Sequence, residues 1–399
     1  MEEKKIGRRT FLKAAAISTA AVGAANLSKA SSSAAQESAV QKTGFPHKEL
    51  GNTGVQVPIL QLGTAQRLNP VYDKIMHRCF KEGVTWFDTA LSYGWGSSHR
   101  AIANFLTQVK DRKKMWLTSK SGSGSPKGLQ EDINECLEEL KTNYIDLYLM
   151  HGIDDEDMLE KEFINLGDRL RKSGKTRFFG FSCHDGNVVE LMNKAAKVGG
   201  IDAILFRYNF RRYGDRELNL AIDACKKAGI GLLAMKTNGS VPASIEKVVQ
   251  FRSDNFTLGQ AKLKSVWADE RIDSVVSEMD SIRVARENIA AAKSEKHLTA
   301  TESHQLNQLA ALTANYACNG CAHICESVVD QKVAIADSLR FLMYYECYGK
   351  TEHARQLYNG IPAQSRICGE EQLQKAAAVC PQGIDIAARL FDAQRTLAV

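Results

Sequence analysis

Residues 144–151 read YIDLYLMH: a short apolar run, closed by a polar histidine. Runs of the same kind recur on either side of it. They are ILQLGT (59–64), VTWFDTA (84–90), MWLTSK (115–120), RFFGFS (177–182), DAILFRYN (202–209), IGLLAMK (230–236) and IDSVVSE (272–278). Between them lie amphipathic stretches such as LQEDINECLEELK (129–141), with apolar residues every three to four positions, as a surface helix requires. Strand and helix thus alternate eight times, which predicts an α/β fold, a (β/α)8 barrel of the TIM type. An open doubly wound sheet would want a glycine-rich dinucleotide turn after an early strand, and the sequence has none. Asp88, Lys120, His151, Ser182, Asn209 and Lys236 each fall at or just past the C-terminal end of an apolar run. Barrel enzymes carry their chemistry on that rim.

These residues bring a resemblance with them. HKELGNTGVQVP opens residues 47–58, FDTALSYG holds Asp88 and Tyr93 five residues apart, LTSK supplies Lys120, and YLMHG supplies His151. In this order they resemble the catalytic tetrad of an aldo-keto reductase, over residues 47–293. The resemblance implies carbonyl reduction, or alcohol oxidation, with Tyr93 as acid/base, Lys120 as its tuner, Asp88 as support and His151 as the residue that orients the carbonyl. The chemistry agrees. A phenol of ordinary pKa about 10 is a weak acid, and a neighbouring ammonium stabilises its phenolate.

The cofactor pattern is less complete. The resemblance implies NAD(P), with its carboxamide held by a Ser-Asn pair and a glutamine; here Ser182 stands, followed by Cys183, and the glutamine position is Leu205. Asn209 and Lys236 line the same rim. DSIRVARENIAAAK (280–293) resembles the adenosine-binding loop and helix, with Arg283, Glu287 and Asn288 as candidate contacts, and NAD versus NADP is left open.

The first 46 residues read as something other than fold. Lys4, Lys5, Arg8, Arg9 and Lys13 precede a weakly apolar, alanine-rich stretch too short to span a bilayer. GRRTFLK resembles a twin-arginine export signal. The expectation is a signal peptide over 1–35, a linker over 36–46, export by the twin-arginine machinery and a periplasmic location. The net charge of +6 is spread along 399 residues without basic blocks, so no nucleic-acid partner is expected.

A small helical domain is expected over 299–399. CNGCAHIC (318–325) gives Cys318, Cys321 and Cys325, and Cys380-Pro381 follows far downstream. The spacing resembles a bacterial ferredoxin module holding one 4Fe-4S cluster on these four cysteines; zinc on the same thiolates is the alternative. The expected whole is an exported reductase barrel with an iron-sulfur tail and a possible redox partner. A non-catalytic metal-stabilised binding protein and a lyase using the same rim are the competing readings.

Overall fold

The computed structural model describes residues 44–398, apart from 67, 95, 185, 249 and 331. The export signal expected in residues 1–35, and the linker up to residue 43, lie outside the described residues. An antiparallel hairpin, β1 (His47–Glu49) and β2 (Gln56–Pro58), precedes the barrel. Eight parallel strands then close on themselves: β3 (Leu60–Gly63), β4 (Trp86–Asp88), β5 (Trp116–Ser121), β6 (Ile145–Met150), β7 (Thr176–Cys183), β8 (Ala203–Arg207), β9 (Gly231–Met235) and β10 (Ser274–Glu278). All eight lie within two residues of the apolar runs read from sequence.

The intervening helices are α1 (Lys74–Glu82), α2 (Ser97–Val109), α3 (Pro126–Glu139), α4 (Lys161–Lys172), α5 (Val188–Val198), α6 (Arg216–Lys227), α7 (Ala243–Val248), α8 (Leu258–Trp267) and α9 (Ile282–Lys293). Their starts follow capping chemistry. Asp73 accepts hydrogen bonds from the amides of Ile75 and Met76, and Ser125 caps α3 ahead of Pro126. Alternation along each strand separates two cores. Trp86, Trp116, Leu147, Leu149, Leu205 and Leu233 fill the barrel, where Leu50 and Val57 of the hairpin segment join them. Phe87, Leu117, Tyr148, Phe179 and Phe206 face outward against the helices.

The chain leaves through α10 (Ala300–Leu312), whose start is a reciprocal cap between Thr299 and Glu302. Beyond it come α11 (Ala322–Cys325), α12 (Ile335–Tyr348), α13 (Thr351–Gly360), α14 (Glu370–Ala378) and α15 (Ile386–Leu397). They enclose their own apolar clusters. One holds Val333, Ile335, Leu373 and Leu390, the other Leu342, Tyr358 and Leu397. Among the described residues no helix is long and apolar enough to cross a membrane.

Candidate active site

The four tetrad residues converge at the C-terminal end of the barrel. Asp88 ends β4, Tyr93 lies in the turn after it, Lys120 sits near the end of β5, and His151 follows β6. The Lys120 ammonium donates to Asp88 Oδ1 and to the Thr89 carbonyl, both at 2.7 Å, and reaches the Tyr93 hydroxyl at 3.5 Å. Those three contacts match its three protons. The His151 ring stands edge-on to the Tyr93 ring, centroids 5.7 Å apart.

Burial governs the protonation states. It pushes the Asp88 carboxyl up against the pull of Lys120. It also works against the Lys120 charge, yet Asp88 and Tyr93 hold that ammonium above its ordinary value. The phenol departs from the sequence expectation: burial outweighs Lys120, and the Tyr93 pKa moves up, not down. Tyr93 is therefore a protonated phenol at neutral pH. Burial, with Lys120 second, pushes His151 down to about 3, so this imidazole is neutral.

Sequence reasoning missed His184, just past β7. Its ring centroid lies 6.3 Å from that of His151, and burial, then Lys236, holds it well below the usual histidine range. The HDG triplet after a strand end was the available signal.

The residues expected to hold a cofactor are all engaged with protein. The Ser182 hydroxyl accepts from the Gly152 amide at 2.8 Å, and Asn209 donates to the Lys236 carbonyl at 3.1 Å. Arg283 pairs with Glu287 at 2.8 Å, and the Asn288 amide donates to Ser277 Oγ. Cys183 and Leu205 are buried, and the Cys183 thiol donates to Asn187 Oδ1 at 3.9 Å.

The tail crosses this same rim. The Lys236 ammonium lies over the rings of Tyr344 and Tyr348 on α12, at 5.1 and 5.7 Å. Ser240, in the loop after β9, lies 3.3 Å from the Tyr348 hydroxyl. Lys350 donates to both carboxylate oxygens of Glu278, at the end of β10, at 2.8 Å each. Ser240 and Glu278 lie along the rim between the Ser182–Asn209 end and the 280–293 helix. The expected dinucleotide track and the tail therefore share one surface.

The cysteines approach one another and touch the barrel. Cys318, Cys321, Cys325 and Cys380 each lie within electrostatic reach of the others. The Gly320 amide donates to Cys318 Sγ at 3.4 Å, and the Arg207 guanidinium donates to the Cys318 carbonyl at 2.6 Å. Gly186, after β7, packs directly on Cys321: a Cβ there would lie 2.3 Å from the Cys321 Cβ. Only glycine permits that contact. The expected metal set is nevertheless not formed as it stands. Among the described residues no group of three or more His, Cys, Asp or Glu side chains is arranged to hold a metal ion.

Residues 61–241 match the profile of the Aldo/keto reductase family. Over these residues the barrel is similar to those of aldo/keto reductases. An aldo-keto reductase of Gibberella moniliformis is 32% identical over 146 residues, 34% of this chain and 43% of its own length. L-galactose dehydrogenase of Arabidopsis thaliana is 25% identical over 281 residues, 61% of this chain and 87% of its own. Among solved structures, a thermostable aldo-keto reductase in complex with epalrestat superposes with a TM-score of 0.54 at 25% identity, covering 66% of this chain and all of that one. The holo form of a Bacillus halodurans aldo-keto reductase gives 0.57 at 22%, covering 66% and 96%. The protein is an aldo-keto-reductase-like oxidoreductase.

Proposed function

We propose that the barrel mouth interconverts a small carbonyl compound and its alcohol. The observation that carries this is the Lys120 ammonium between the Asp88 carboxylate at 2.7 Å and the Tyr93 phenol at 3.5 Å, with His151 against the same ring. NAD(P), the cofactor of aldo/keto reductases, would supply hydride for the carbonyl carbon when bound. Tyr93 holds the proton that the carbonyl oxygen takes up, and Lys120 stabilises the phenolate left behind. Asp88 keeps Lys120 charged and fixed. Neutral His151 orients the carbonyl oxygen by a hydrogen bond that adds no competing charge. With the tail against Ser240 and Glu278, a dinucleotide enters only where α12 and Lys350 withdraw. Tyr93→Phe removes the proton donor and should lower reduction of small aldehydes about 10²- to 10⁴-fold with the fold intact. Unchanged turnover would refute the assignment.

The finer reading places the protein outside the cytoplasmic membrane, exported through the twin-arginine machinery on the strength of GRRTFLK. The tail holds one 4Fe-4S cluster on Cys318, Cys321, Cys325 and Cys380. Their mutual approach and the amide donated to Cys318 Sγ favour a cluster, which spreads its four cysteines wider than a single ion does. The cluster's role is to hold the tail on the barrel, with electron delivery from a redox partner as the competing role.

A further inference from the structure

We propose that the cavity between the barrel rim and the tail is a binding site for a small oxyanion, a carboxylate or a phosphate. It is distinct from the tetrad, though two of its lining residues, Asn209 and Ser240, also lie on the expected dinucleotide track. The cavity measures about 260 Å³. That is just below the range of about 300–1,000 Å³ typical of drug-sized ligands, so its occupant is small.

Its lining is cationic. Arg207 comes from the end of β8, Arg211 and Arg212 from the loop that follows, and Asp215 is the one carboxylate among the lining residues. Ser240 on the barrel side and Asn319 on the tail side add neutral polar groups. The three arginines differ in what they already hold. Arg211 is a tether. It donates to the carbonyls of Gly239 and Ala310 at 2.5 and 2.8 Å and to the Thr313 hydroxyl. Arg212 meets Asp215 at 2.8 Å through Nη2, and Arg207 meets the Cys318 carbonyl at 2.6 Å through Nη1.

In both Arg207 and Arg212 the Nε donor is buried and without a partner. Buried polar groups are almost always hydrogen-bonded, and an unmade bond to a charged donor is among the costlier omissions. A guanidinium fork is built for a planar or tetrahedral oxyanion, which accepts two parallel N–H bonds. Two such forks lining one cavity, with a single opposing carboxylate, select a ligand of negative charge and exclude a cation. Because Cys318 and Asn319 complete the wall, the site exists only while the tail is docked.

The test is isothermal titration of the full-length protein with inorganic phosphate and, separately, with malonate, at low ionic strength with a chloride control of equal ionic strength. Saturable binding of one anion per chain is expected, and the better of the two probes identifies the ligand class. Arg207→Met and Arg212→Met should each weaken binding at least about tenfold, since each removes a charge-assisted pair of hydrogen bonds. Arg216→Met, at a neighbouring arginine that is 84% exposed, should leave binding unchanged. Should the methionine variants not fold, Arg207→Lys, which keeps the charge and lacks Nε, decides the matter by weakened binding at an unaltered melting temperature. An equal response to chloride, or wild-type affinity in the Arg207 variants, overturns the proposal. So does unchanged anion binding with altered thiol reactivity at Cys318 and Cys321, because the arginines then serve the cysteines.

Discussion

The Lys120–Asp88 pair offers the sharpest test of how the mouth is built. Its side chains are 1% and 4% exposed and 2.7 Å apart. Salt screens such a pair little, and at an effective dielectric near 20 the attraction is about 6 kcal/mol. Desolvation of both ions offsets much of that. Removing one partner is another matter, because the survivor stays desolvated and uncompensated; the usual cost is about 3–5 kcal/mol. Lys120→Met strands the Asp88 carboxylate, whose Oδ2 already lacks a partner. Asp88→Asn leaves the ammonium with neutral acceptors alone, among them the Thr89 carbonyl and the Tyr93 hydroxyl. Each single variant should therefore lose about 3 kcal/mol or more. The double variant buries no charge there, and its loss should fall short of the sum by about 3 kcal/mol. Urea unfolding followed by fluorescence of the buried Trp86 and Trp116 gives the three values. Turnover should fall by at least about 10² in Lys120→Met and stay low in the double variant, which regains stability without regaining an ammonium. Stability losses that add within about 0.5 kcal/mol, or turnover restored in the double variant, would refute the reasoning.

Acid should weaken the fold before carboxylates titrate. His151 and His184 are held low in the folded chain, so below about pH 6.5 the unfolded chain binds protons that the folded one does not. Stability then falls with pH, by about 1.4 kcal/mol per unit for each histidine, and His184→Asn should reduce that slope between pH 6.5 and 5 by one such increment. Lys350→Glu combined with Tyr348→Ala removes the clasp on Glu278 and Ser240 and should tighten NADPH binding about tenfold in a fluorescence titration; because the Lys350–Glu278 pair is one-third exposed, much of the gain comes from like-charge repulsion. Unaltered affinity would mean the tail does not bar the track. Protein purified without oxygen should contain iron and sulfide and absorb broadly near 400 nm (a general property of thiolate-bound clusters), and Cys380→Ala should lose most of both. Stoichiometric zinc without sulfide would overturn the cluster, and normal export of an Arg8→Lys/Arg9→Lys precursor would overturn the signal.

The barrel was legible because its information is local. Each strand is a short apolar run, and Asp88, Lys120 and His151 are readable as the polar residues that end three of them. What escaped the sequence was everything set by distant partners. Glu278 meets Lys350 across 72 residues, and Ser240 meets Tyr348 across 108. No periodicity encodes such a contact. The direction of the Tyr93 shift escaped for a related reason. The pairing with Lys120 follows from the resemblance, whereas burial is set by residues distant in sequence, and burial wins.

That cover also explains why the nicotinamide pattern frays where it does. Cys183 and Leu205 stand where the family's amides are expected, and both are buried. The same arc of the rim carries the tail: Gly186 admits the Cys321 backbone, Arg207 holds the Cys318 carbonyl, and Lys236 lies beneath Tyr344 and Tyr348. Amide side chains at these two positions would enter clusters of buried apolar residues, where unpaired polar groups are costly. An apolar wall suits a docked tail better than it suits a carboxamide. The tetrad faces no such conflict, because Asp88, Lys120 and the Tyr93 hydroxyl bond to one another. An intact acid–base group thus stands beside an arc of the rim on which the tail rests.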